Sequence, residues 1–230
     1  MTDPAFVRIV QNIVGQAMDA LLQPDPDGFA ADPLGYSALA WQKWGILATA
    51  NGFPVDVTKP PTITDLKNPV LWLTHAHALS EAAGQLIRKP PNFDNFPPEL
   101  RSICHSQYHA VALMLIGYSL EVCLKAMILL RLGIDEFIKQ EKNHFHHQLE
   151  ELSKFIPNLD DKDQAILKGL SHFIVWAGRY PDPGSRRVSN AVDVFEISEK
   201  YRISDEALFD VSVRIMRYVQ TAVDSGVLTL

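Results

Sequence analysis

Apolar residues recur at helical spacing along most of this chain. Phe6, Ile9, Val10, Ile13, Ala17 and Leu21 form a stripe that predicts an amphipathic helix at the start. Pro24, Pro26, Gly28, Pro33 and Gly35 end it. A second helix is predicted from Ser37 to about Asn51-Gly52, with Trp41, Trp44 and Leu47 or Ala48 facing inward. Beyond a proline-rich connector, Trp72, Ala76, Leu79, Ala83 and Leu86 mark a third helix, from Val70 to Lys89-Pro90-Pro91. Pro97-Pro98 is placed to open a long helix that runs through Leu132 and is closed by Gly133. Shorter helices are predicted over Ile134 to Lys142 and over His147 to Phe155, the latter ended by Pro157. Asp160 and Asp161 supply a cap and a favourable charge ahead of a stripe of Ile166, Leu170, Phe173, Ile174 and Ala177. Pro181 stops that helix, because proline disfavours helical geometry in the residue before it. Val192 to Ile197 alternates weakly and reads as a short strand. Ser204 caps a last helix with Leu208, Val211, Ile215, Tyr218 or Val219, and Ala222 on its stripe. Neither βαβ alternation, nor a glycine-rich phosphate loop, nor an internal repeat is present, so the predicted class is all-α.

The long helix sets the functional question. Ala110 through Leu130 is apolar almost all round, which only a buried helix satisfies, yet Glu121 and Lys125 interrupt it one turn apart. Such charges are costly unless paired or placed at a cavity or interface, so this face is the expected site or partner surface, widened by Tyr118 one turn earlier. The run approaches transmembrane length, but a lipid-facing helix would tolerate the two charges poorly, and a bundle helix with no membrane partner is expected. With 230 residues, 47% of them hydrophobic and 21% charged, the chain can bury a large core. A net charge of −6, from 21 basic and 27 acidic residues, argues against a broad nucleic-acid surface and leaves room only for a local basic patch. Cys104 and Cys123 fall in the same helix, roughly 28 Å apart at 1.5 Å per residue, and cannot bridge within it. Free thiols, and a start (Met1-Thr2-Asp3-Pro4) without the basic region of a secretory signal, make a cytoplasmic location the expectation.

Several constellations carry candidate chemistry. Arg179 and Tyr180 come at a helix end, and Arg186 and Arg187 follow the turn Pro181-Asp182-Pro183-Gly184. Three guanidinium groups brought together there would hold a phosphate by forked hydrogen bonds. His105 and His109 are one turn apart, a spacing that permits chelation, but Ser106 stands where a zinc-protease helix needs its glutamate. His75 and His77 lie about 200° apart around a helix and cannot share an ion. His144, His146 and His147 cluster in a loop without a nearby cysteine, so neither metal nor cofactor is expected. Ser119, Cys104 and Cys123 lack a Ser-His-Asp arrangement, which leaves nucleophilic catalysis unsupported.

Three segments in order carry a family resemblance: Ile116-Gly117-Tyr118-Ser119-Leu120-Glu121-Val122-Cys123-Leu124-Lys125-Ala126, then His146-His147-Gln148-Leu149-Glu150-Glu151-Leu152, then Trp176-Ala177-Gly178-Arg179-Tyr180-Pro181. The chain from about His105 to Val227 resembles the HEPN superfamily, helical bundle domains found in prokaryotes and higher eukaryotes. The resemblance implies a four-helix up-and-down bundle over residues 101–230, commonly a homodimer. It also implies roles in nucleotide binding, RNA cleavage, or toxin–antitoxin and phage-defence systems, with an antitoxin protein as a partner. Residues 1–100 are then a helical extension of unknown role, expected to pack on the bundle.

Catalytic members of the superfamily carry an arginine followed after four to six residues by a histidine. Here Arg179 has no such histidine, and none occurs after His172. Arginine stays protonated and cannot act as general base at neutral pH, so a metal-independent ribonuclease would need a displaced base, for which His172 is the one candidate. The expectation is a non-catalytic module that binds a nucleotide, an RNA end or a partner protein through Glu121, Lys125, His147, Arg179, Tyr180, Arg186 and Arg187. The alternatives are the ribonuclease and a purely structural dimerisation module.

Overall fold

The computed structural model describes residues 23–38, 40–50, 52–53, 55–185 and 188–224. The helix predicted at the start lies outside them, as do Arg186 and Arg187 and the side chain of Ala222. Every regular element among the described residues is helical. The chain forms two compact units, Met1–Leu71 and Trp72–Leu230.

In the first unit, α1 (Pro26–Ala31) starts on Asp25, whose carboxylate accepts from the Gly28 amide at 2.9 Å. α2 (Pro33–Ala38) follows, and Phe29 of α1 packs edge-on against Tyr36 at 5.9 Å. α3 (Ala40–Ala50) buries Gly45 and Ala48. Leu47 is 45% exposed, so Ala48 takes the inward position. Gly45 lies so close to Val55 and Val57 that a Cβ there would meet Val57 Cγ1 at 2.5 Å, which fixes a residue without a side chain. α4 (Ile63–Leu66) opens on a capping box between Thr62 and Asp65. The boundary between the units falls inside α5 (Pro69–Arg88).

The second unit is organised around α6 (Pro98–Leu132), which Gly133 closes with φ 77°, a value L side chains rarely adopt. Leu120, Leu124 and Ile128 are 0%, 0% and 8% exposed, as the all-round hydrophobicity requires. α6 is long and apolar enough to cross a membrane, and 61% of its most apolar window is buried inside the protein. α7 (Ile134–Lys139), α8 (Glu141–His144) and α9 (Leu149–Leu152) are short. α9 is a single turn where the spacing of leucines predicts a helix through Phe155, because beyond Ser153 the amides of Lys154 and Ile156 donate three residues back, to Glu151 O and Ser153 O, and the helical four-residue pattern stops. α10 (Asp161–His172) begins on a capping box between Asp160 and Asp163 and passes into a π-helical turn, Phe173–Ala177. α11 (Ser189–Tyr201) is a helix where the alternation of Val192 to Ile197 suggests a strand. Its pattern is weak because only Ile197 is buried, and the element is held by polar contacts to α10. α12 (Asp205–Asp224) starts at Ser204, whose hydroxyl accepts from the Ala207 amide at 3.2 Å.

α6 is packed by α7, α9, α10, the π turn and α12. Ile166, Leu170 and Ile174 from the α10 stripe and Val211 and Ile215 from α12 complete the main core. α5 joins through Ala76, which packs with Cys123, Met127 and Val219 and accepts a 2.8 Å hydrogen bond from Ser119 Oγ. Two glycines let α10 and its extension press onto α6. A Cβ on Gly117 would meet Ile174 Cγ1 at 2.7 Å, and one on Gly178 would meet Met114 Cβ at 2.4 Å and Ala110 O at 2.8 Å.

Candidate functional site

The charges that interrupt α6 are paired. Lys125 Nζ lies 2.6 Å from Glu121 Oε1 along the helix, and both side chains are 7% exposed. His147, from the loop that leads into α9, places Nδ1 2.8 Å from Glu121 Oε2. Both carboxylate oxygens are therefore engaged, and the geometry assigns the Nδ1 proton as donor to Glu121. Phe145 roofs the lysine, its ring centre 5.0 Å from Nζ, and Tyr118 meets the His147 ring edge-on at 6.1 Å. His147 itself is 44% exposed, so the cluster reaches solvent through its imidazole. Nearby, His144 stacks on Phe137 at 5.6 Å, and burial, reinforced by His146 and Lys125, pushes its pKa below the ordinary value. The arrangement satisfies a buried carboxylate and ties the His144–Leu149 segment to the core helix. Ser171 ties the end of the same segment to α10, its hydroxyl accepting from the Leu149 amide at 2.9 Å.

Arg179 and Tyr180 sit elsewhere. The π turn ends with the Gly178 amide donating to Phe173 O at 3.1 Å, five residues back, a widened turn of the kind that often marks functional positions. It delivers Gly178 against Ala110 and Met114, seven to eleven residues before Glu121, or roughly 10–16 Å along α6 at 1.5 Å per residue. The predicted constellation thus resolves into two places: Glu121, Lys125 and His147 in one, Arg179 and Tyr180 in the other. The reason is that Gly178 docks at the start of the buried half of α6, whereas the His147 loop reaches its middle.

Around Arg179 the structure forms a cleft of about 620 Å³, lined by Ser106, Gln107, Ala110 and Val111 of α6, by Trp176 through Pro181, and by Phe195 of α11. Arg179 Nη2 is 3.3 Å from Tyr180 Oη, and its guanidinium carbon lies 5.2 Å from the Tyr180 ring centre. Among the described residues no carboxylate pairs with it. Tyr180 and Phe195 are 55% and 76% exposed at the cleft. A cation beside the Tyr180 ring, in a cleft that Trp176 and Phe195 also line, can hold an anionic group and stack a planar ring.

His172 stands behind this cleft with both nitrogens occupied. Nε2 is 2.8 Å from Asp193 Oδ2, and Trp176 Nε1 donates to Nδ1 at 3.5 Å. Lys168 Nζ also reaches Asp193, at 2.7 Å, and with His172 holds that carboxyl below the ordinary carboxylate range despite partial burial. The imidazole is 13% exposed and acts as a clasp between α10 and α11. Compared with family models, curated proteins and solved structures, the chain gives no match.

Phe195 and Asp193 escaped the sequence analysis because they lie in a stretch whose alternation reads as a strand. The ion pair of Arg214 with buried Asp163 escaped it too. A helical reading of 189–201 would have put Asp193 and Ile197 one turn apart on one face and left Phe195 outside it.

Proposed function

We propose that this chain is a non-catalytic, HEPN-like four-helix bundle that binds a nucleotide or a phosphorylated RNA end in the Arg179 cleft. The observation that carries this reading is a guanidinium free of any carboxylate partner among the described residues, at a cleft lined by Trp176, Tyr180 and Phe195. Phosphate pairs with the forked donors of arginine, and a base stacks on an aromatic face. The net charge of −6 disfavours a long polyanion and suits a ligand that offers one or a few phosphates at one point. The engagement of both His172 nitrogens supports binding over hydrolysis, since a general base needs a free lone pair facing its substrate. The buried Glu121–Lys125–His147 cluster is assigned a structural role. A thermal-shift series with adenosine monophosphate and a 5′-phosphorylated oligoribonucleotide tests this. Saturating ligand at 100 times Kd should add about 2.7 kcal/mol of stability, and Arg179→Ala should remove the shift.

A protein partner is the second reading, and one observation favours it. Val188, Val192 and Phe195 recur at helical spacing and are 62%, 53% and 76% exposed, an apolar stripe beside the same cleft. A second copy of the chain or an antitoxin would cover it. Sedimentation of wild type and Phe195→Ser separates a homodimer from a monomer awaiting another protein.

A further inference from the structure

We propose that His105 and His109 form a two-histidine chelate for zinc on the exposed outer half of α6. Their spacing of one helical turn stacks both rings on one side, with centroids 4.5 Å apart and the planes inclined by 64°. The two Nε2 atoms are 3.3 Å apart. Zinc–imidazole bonds of about 2.0–2.1 Å at a tetrahedral angle put two ligand nitrogens roughly 3.3–3.4 Å from each other, whereas a right-angled arrangement requires about 2.8–3.0 Å. The bite of the pair therefore suits a tetrahedral ion without rearrangement. His105 is exposed and His109 half-buried, so the site is open to entry.

The alternative for two neutral rings at this distance is a single N–H···N hydrogen bond, in which one Nε2 carries a proton and only the other keeps a lone pair. When zinc binds, that ring takes the tautomer protonated at Nδ1, so both Nε2 lone pairs face the ion and each ring keeps one proton. Among the described residues no third histidine, cysteine or carboxylate completes a cluster, so two coordination positions stay with water or with a ligand brought by another molecule. Neither histidine lines the Arg179 cleft, although their sequence neighbours Ser106 and Ala110 do.

The experiment is a calorimetric titration of untagged, chelator-stripped protein with zinc chloride at neutral pH. The variants are His105→Ala, His109→Ala and, as a control, His77→Ala, which removes an exposed histidine on α5. One zinc per chain is expected in wild type and in His77→Ala. Changes even in the outer shell of metal sites weaken affinity by about 10–100-fold, so losing one of two ligands should weaken it at least tenfold in either variant. No zinc uptake by wild type overturns the proposal, as does uptake that persists unweakened in His105→Ala and His109→Ala. His105→Asn, which keeps a polar group at an exposed position, guards against a folding artefact: weakened binding with an unchanged circular dichroism spectrum supports the chelate, and undiminished binding refutes it.

Discussion

Replacing Glu121 by glutamine removes one negative charge and almost no volume from the centre of the second unit. Lys125 Nζ then keeps a neutral amide 2.6 Å away where it had a carboxylate, with its side chain only 7% exposed. Breaking a buried pair from one side leaves an uncompensated charge, at about 3–5 kcal/mol. For a unit of this size that corresponds to a fall in Tm of about 6–20 °C, at about 2–4 °C per kcal/mol. Replacing both partners, Glu121→Gln with Lys125→Met, leaves no buried charge and is expected to stay within about 1–2 kcal/mol of wild type. His147→Ala should cost about 1 kcal/mol, since its side chain is 44% exposed and water screens the contact. Urea unfolding of the four proteins measures all three differences from the midpoints at constant m. A single Glu121→Gln variant within 1 kcal/mol of wild type, or a double variant as unstable as the single, would refute the argument that the pair is held by mutual compensation.

Gly178→Ala should destabilise by about 1–3 kcal/mol or more and exceed Gly117→Ala, because the new Cβ meets backbone Ala110 O and Met114 Cβ rather than mainly an isoleucine side chain; thermal melts of the two variants decide the order. The pairing of Asp193 with Lys168 and His172 lowers its pKa from 3.8, so the stability it adds is present above that value and is lost as pH falls through the lower folded one. Acid titration of Asp193→Asn should therefore show a shallower loss of stability below about pH 4 than wild type. Burial pushes the Cys123 thiol up to about 12, whereas Cys104 is partly exposed. A thiol reagent should label only Cys104 in the native protein and both cysteines in urea.

The helices were legible wherever the hydrophobic period was strong and a breaker stood at the end. Pro98, Gly133, Asp160 and Ser204 each mark an element boundary in the structure. The reading failed where periodicity was thin. α11 buries Ile197 alone, so its sequence carries no stripe, and the contacts that fix it, Lys168 and His172 to Asp193, join residues 21 to 25 positions apart. The site was legible in part for a similar reason. Glu121 and Lys125 announce each other by their spacing within an apolar run, and His147 joins them across 26 residues. That Arg179 would dock at the other end of the buried segment depends on Gly178, whose close approach to α6 has no sequence signature beyond the glycine itself. The π turn is equally silent in the sequence, because Phe173–Ala177 reads as the ordinary continuation of the α10 stripe.

Calorimetric titration of wild type and Arg179→Ala with a short oligoribonucleotide, 5′-phosphorylated or 5′-hydroxyl, tests phosphate binding in the cleft most directly. One saturable site per chain is expected in wild type, with weaker binding of the unphosphorylated oligonucleotide and loss of binding in Arg179→Ala. A surface cap of this kind contributes at most about 1 kcal/mol, so the variant should melt close to wild type. Absence of binding in wild type, or binding that survives in Arg179→Ala, would contradict it.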